Sequence, residues 1–192
     1  MGLPQPTPEL VMEYVRRFER EGYDVTERAL TKLFQTFHRN TQLEEVLVKA
    51  ATLNDLYNTN IYAVYDVARH IWELDIDPKL EQHSLGVVEE IAVMTVRGRQ
   101  RRNYSFATKY CSFHVPEVYP IYDGYVDQML WAYRGQDGFA EFKRRELWDS
   151  YPRYVEVVER FRSYYGLGGF NWREIDRFLW LYGLGLNAQR TS

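Results

Sequence analysis

One carboxylate and one cluster of cations have the types and spacing to do chemistry. In Tyr119-Pro120-Ile121-Tyr122-Asp123-Gly124-Tyr125-Val126 an apolar, proline-held strand is predicted to run into an aspartate. A helix follows, with Val126, Met129, Leu130 and Tyr133 on one face. Asp123 stands where an N-cap belongs, facing the unpaired N–H groups of the first turn, a setting that favours negative charge and holds it still. A fixed carboxylate there can stabilise a developing cation, and it can equally be a plain helix cap. Arg97, Arg99, Arg101 and Arg102 crowd around Gly98, directly before a helix holding Ser105, Phe106, Ala107 and Tyr110. Such a cluster beside one loop suits phosphate contact, against the common alternative of a solvated charged turn.

The elements that must position these groups read as helices bracketed by caps. Thr7-Pro8 opens the first, with Leu10, Val11, Tyr14, Val15 and Phe18 at helical spacing and Gly22 closing it. Asp24-x-x-Glu27, Thr41-x-x-Glu44 and Asn171-x-x-Glu174 have the form of capping boxes. The last precedes Ile175, Phe178, Leu179 and Tyr182, with Gly183 predicted as the helix stop. Further apolar helices are predicted near 60–74, 84–96, 104–112, 124–133, 138–148 and 152–165, with 75–83 as a connector. Period-two alternation is essentially absent, so the predicted class is all-α. Asn54–Asn60 and His114–Tyr122 are rich in Tyr and apolar residues and read as ordered loops, where sites concentrate.

Bulk composition narrows the function classes. The 192 residues suffice for one well-buried domain or two small lobes, and 45% hydrophobic with 16% aromatic content excludes disorder. Sixteen Tyr and five Trp suit a stacking cleft, although a helical core absorbs them too. A net charge of −3 argues against a generally basic nucleic-acid coat while leaving room for a local patch. The single Cys111 leaves no disulfide framework and no four-thiolate metal site, and His38, His70, His83 and His114 lack metal-ligand spacing. No metal and no cofactor are expected. No apolar run reaches membrane-spanning length and no signal-peptide pattern opens the chain, so a cytoplasmic protein of prokaryotic or viral origin, monomeric and without membrane contact, is expected.

Taken in order, these features resemble the helix-hairpin-helix DNA glycosylase superfamily over residues of about 46 to 133. Pro120-Ile121-Tyr122-Asp123-Gly124-Tyr125-Val126 is similar to the P-I-L-D-G-N-V run of adenine glycosylases, and Leu56-Tyr57-Asn58-Thr59 looks like the L-S-Q-x-T turn that enters the duplex. The resemblance implies a helical glycosylase fold on a single 1–192 domain. Its two small lobes, roughly 41–133 and 1–40 plus 134–192, would flank a cleft. The usual L-P-G-V-G hairpin is degenerate, since Val96-Arg97-Gly98-Arg99 keeps one glycine, so the arginines are expected to take over part of the phosphate grip.

Function follows from the resemblance as an expectation. Asp123 would steady the sugar as the base departs, and Tyr57 and Asn58 would fill the gap left by a base flipped out of the stack. Trp180 and Tyr182 are candidates for the base-pocket wall, although aromatics at helical spacing are more often core. Lyase-type members carry a lysine near the start of the preceding helix; Ser105 holds that place here, as in adenine glycosylases. That implies hydrolysis, which leaves an abasic site and an intact strand. Lys109, one turn along from Ser105, is a secondary catalytic candidate and more naturally a phosphate or structural contact. Base-excision repair, or defence against phage DNA carrying modified bases, would be the setting. The alternative is a DNA-binding module that keeps the fold without the chemistry; a third reading is a helical scaffold of protein complexes.

Overall fold

The computed structural model describes residues 2–96 and 98–191, so Arg97, Met1 and Ser192 lie outside the described residues. Among the described residues the chain forms eleven helices and a single two-stranded sheet, a mostly helical architecture. It divides into two compact units, residues 25–119 and residues 1–24 with 120–192.

The discontinuous unit is built on helix α1 (Pro8–Arg20). Thr7 Oγ1 accepts from Leu10 N at 3.3 Å, Pro8 occupies the first turn, and Val11, Val15 and Phe18 are buried. Its C-terminal part holds α8 (Gly124–Asp137), α9 (Arg144–Asp149), α10 (Tyr151–Tyr164) and α11 (Trp172–Thr191). The Asn171–Glu174 box forms reciprocally: Asn171 N donates to Glu174 Oε2 at 2.8 Å, and Glu174 N donates to Asn171 Oδ1 at 3.0 Å. Gly183 does not end α11, which continues to Thr191. It is where α11 crosses α8: a Cβ there would lie 3.1 Å from Tyr125 Cβ and 3.2 Å from Tyr125 O. The glycine is needed for close approach rather than for a turn. The predicted 138–148 helix shrinks to α9, because Gly138 takes φ 62° as the C-cap of α8.

The continuous unit receives most of α2 (Tyr23–Thr36), then α3 (Leu43–Tyr57), α4 (Val64–Glu73), α5 (Asp77–Glu81), α6 (Gly86–Ala92), strands β1 (Val93–Val96) and β2 (Arg99–Arg102), and α7 (Tyr104–His114). From Phe106 to Phe113 every residue of α7 is buried, against α6 and α3. Two predicted capping boxes do not form. Helix α2 starts at Tyr23, which places Asp24 inside the first turn, and α3 is preceded by Gln42 with no side-chain cap, while Thr41 O accepts from Trp72 Nε1 at 3.0 Å.

The predicted 84–96 helix is also corrected: it stops at Ala92. Val93, Thr95 and Val96 are β-branched and favour extended backbone, and Gly98 at φ 74° turns the chain so that Val96 pairs with Arg99 and Met94 with Arg101. A β-hairpin thus occupies the place where a degenerate helical hairpin was expected. Pro120–Tyr122, predicted as strand-like, joins no sheet.

Candidate functional site

Asp123 is positioned by backbone that its neighbours hold from two sides. Tyr151 Oη donates to Pro120 O at 2.9 Å, and Tyr154 Oη donates to Ile121 O. The Tyr122 ring packs edge-on between Trp148 and Tyr154, at 5.8 and 5.4 Å between centroids. This buried, extended segment delivers Asp123 at φ −140°, ψ 154° to the head of α8, where its Oδ1 accepts from Tyr125 N at 3.0 Å. The residue is half-buried and is followed by exposed Gly124. One turn on, Asp127 is buried and paired with Arg144 at 2.6 Å. That second carboxylate was not singled out in the sequence, although its i,i+4 spacing from Asp123 could have flagged it. Burial, and after it the negative charge of Asp127, push the Tyr122 phenol well above the ordinary range.

Trp180 and Tyr182 direct their rings toward α1 residues. Trp180 meets Phe18, Tyr23 and Tyr125 at 6.1, 5.1 and 6.2 Å, while Tyr182 meets Tyr14 and Phe178 at 5.4 and 6.0 Å. Trp180 lies against Tyr125 in the first turn of α8 that follows Asp123.

In the continuous unit, Ser105, Lys109 and Tyr57 come together. Lys109 Nζ donates to Ser105 Oγ at 2.7 Å and lies 5.6 Å from the centroid of the Tyr57 ring. The same ring meets Phe113 edge-on at 5.8 Å. Lys109 is 2% exposed. Tyr57 is the last residue of α3, and the exposed Asn58 is its left-handed C-cap at φ 47°.

The described arginines of the basic turn part company. Arg102 is held by Glu89 through two bonds of 2.6 and 3.2 Å and lies 4.6 Å over the Tyr104 ring, a structural engagement. Arg99 and Arg101 are exposed, share one face of β2, and have no acidic partner among the described residues. They line a recess of about 640 Å³ together with Asn60, Tyr62, Ala63, Val96 and Asn103.

The far wall of that recess is Asn60, Tyr62 and Ala63, which continue the Asn54–Asn60 loop that the sequence marked as a place for a site; Tyr62 and Ala63 were not singled out. Asn58, Asn60 and Ala63 all take positive φ, at 47°, 55° and 60°. For alanine this conformation costs on the order of 1 kcal/mol. Asn54 fixes the chain on either side of Asn60: its Oδ1 accepts from Thr59 Oγ1 at 2.8 Å and from Ile61 N at 2.9 Å.

Among the described residues no group of three or more His, Cys, Asp or Glu side chains could hold a metal ion. Cys111 is buried, which pushes its thiol far up. Among the described residues no helix is long and apolar enough to cross a membrane.

The geometry defines a mostly helical protein with a cationic recess in one unit and a clamped, half-exposed carboxylate in the other. The chain belongs to the HI_0787_N family, described as an N-terminal domain, which it matches over residues 10–118. An uncharacterized protein of Haemophilus influenzae is 40% identical over 145 residues, covering 75% of this chain and 69% of that one. No solved structure matches the chain. The family match takes in Tyr57, Asn58, the arginine hairpin, Ser105 and Lys109, and ends before Asp123.

Proposed function

We propose that the protein is a monofunctional DNA glycosylase with Asp123 as its catalytic carboxylate. The observation that carries this reading is the state of that side chain: half-exposed, capping a fourteen-residue helix, on backbone that two tyrosine hydroxyls hold in place. As the N-glycosidic bond breaks, its electron pair leaves with the base and the sugar turns cationic. A carboxylate fixed in advance is then most stabilising. Water attacks the anomeric carbon, a C–O bond forms, and the water's proton passes to Asp123 and from it, through solvent, to the departed base, so the carboxylate is regenerated. The products are a free base and an abasic site in an unbroken strand. Hydrolysis rather than Schiff-base chemistry is supported by Ser105 at the place of the lyase lysine and by the burial of Lys109 on that serine. Tyr57 and Asn58 fill the gap in the stack, Arg99 and Arg101 hold phosphate, and the substrate is a damaged or modified base, phage-type modified cytosines included. Incubation with duplexes each carrying one altered base, then heating with alkali, tests the reading. Alkali-labile sites that vanish in Asp123→Asn support it, and no labile site in any duplex or phage DNA removes it.

A second reading is a DNA-binding module without catalysis. It is favoured by the family match, which includes the cationic hairpin and leaves out Asp123. Under it, Asp123→Asn changes nothing, while neutralising Arg99 and Arg101 weakens duplex binding.

A further inference from the structure

The recess between the 58–63 loop and the β-hairpin has features that a general phosphate grip does not need. Tyr62 is 85% exposed and lines the recess with the Arg99 and Arg101 guanidinium groups, which have no acidic partner among the described residues. Asn60 offers an amide with no hydrogen-bond partner among the described residues. Val96 and Ala63 add an apolar surface, and among the described residues no acidic side chain lines the recess. Its volume of about 640 Å³ falls within the roughly 300–1,000 Å³ typical of small-molecule sites. The loop is built in advance: Asn58, Asn60 and Ala63 are left-handed, the Asn54 side chain ties down Thr59 and Ile61 on either side of Asn60, and strain of this kind gathers at binding sites.

We propose that this recess binds a single phosphorylated nucleoside. Arg99 and Arg101, alternate residues on one face of β2, fork onto the phosphate oxygens. The base lies on the Tyr62 ring and its edge meets the Asn60 amide. An anion site alone would need no exposed ring, and a base site alone would need no arginines; the recess brings both together. The occupant is either a free nucleotide or one splayed-out unit of a single strand, and the two share this chemistry. The site belongs entirely to the continuous unit and does not depend on Asp123.

Calorimetric titration of the full chain with adenosine 5′-monophosphate, adenosine, inorganic phosphate and a short oligothymidylate tests the proposal. The monophosphate, the oligonucleotide or both bind. Arg99→Gln with Arg101→Gln weakens binding about a hundredfold, Tyr62→Ala about tenfold, and adenosine binds at least about tenfold more weakly than its monophosphate. Which of the two ligands binds identifies the source of the nucleotide. These side chains are exposed, so the variants should unfold at the wild-type midpoint. Asp123→Asn leaves this binding unchanged, so failure here is distinct from failure of base release. The proposal is overturned if neither ligand binds, if binding ignores the arginine pair, or if phosphate binds as tightly as the monophosphate with Tyr62→Ala silent.

Discussion

The ammonium of Lys109 is 2.7 Å from the hydroxyl of Ser105, one turn back on α7, with the Tyr57 ring over it. An amine held this way has little freedom to attack a sugar. Borohydride reduction during incubation with a substrate duplex should therefore trap no protein–DNA adduct. An adduct that disappears in Lys109→Arg would transfer the chemistry to the lysine.

Asp123→Asn should abolish base release by at least about a hundredfold while leaving duplex affinity and the unfolding midpoint unchanged. Asparagine caps a helix as well as aspartate does, so the substitution isolates the charge. Asp123→Ala removes the cap as well and should lose about 1 kcal/mol of stability in a denaturant titration.

The hairpin arginines should separate in a salt titration of duplex binding. Arg99→Ala and Arg101→Ala each reduce the slope of log affinity against log salt by about 1, with no change in the melting temperature. Arg102→Ala does the reverse, because its guanidinium is engaged by Glu89 and Tyr104: melting falls and the slope stays.

Gly183 and Gly185 lie on one helix and should respond oppositely to alanine. At 183 the new Cβ meets Tyr125 backbone at 3.2 Å, and crowding outweighs the gain in helix propensity by about 1 kcal/mol. At 185 nothing lies within 4 Å, and the same change should stabilise by up to about 1 kcal/mol. Urea unfolding of the two variants checks the pair.

Lys49 is buried, donating to Phe37 O, Arg39 O and Asn40 Oδ1 at 2.8–2.9 Å, and burial lowers its pKa from 10.5 to about 8. Between those values the unfolded chain keeps a proton that the folded chain has shed, so stability should rise with pH from about 8. The Cys111 thiol, raised by burial from 9.0, opposes the climb from about 9, and buried tyrosines such as Tyr110, raised above 10.0, reverse it once unfolded phenols ionise. Urea midpoints across this range should climb and then fall, and Lys49→Met should remove the climb. His114, held neutral chiefly by burial and then by Lys49, adds a loss of stability as pH falls below 6.5.

Local chemistry was legible in the sequence where a single turn decides it. The caps at Thr7, Asn171 and Asp123 form as their side chains suggest, because each needs only an N–H two or three residues away. The boxes at Asp24 and Thr41 did not form, since tertiary packing started one helix earlier and the other later. The β-hairpin escaped notice because four-residue strands hold too few alternations to register against a helical background. Gly183 read as a stop because a close helix crossing leaves the same glycine in the sequence. The recess was invisible for a deeper reason: its walls are set by backbone conformations at Asn60 and Ala63, and by strand pairing more than thirty positions onward.

The hydroxyls of Tyr151 and Tyr154 act as rivets on two carbonyls that no sheet satisfies. The aim of the Asp123 carboxylate is thus set by a helix that begins almost thirty residues downstream. A screen that scores only lost activity would rank both phenylalanine replacements beside Asp123 itself. Calorimetry on the purified variants would tell a loosened mount from a missing charge.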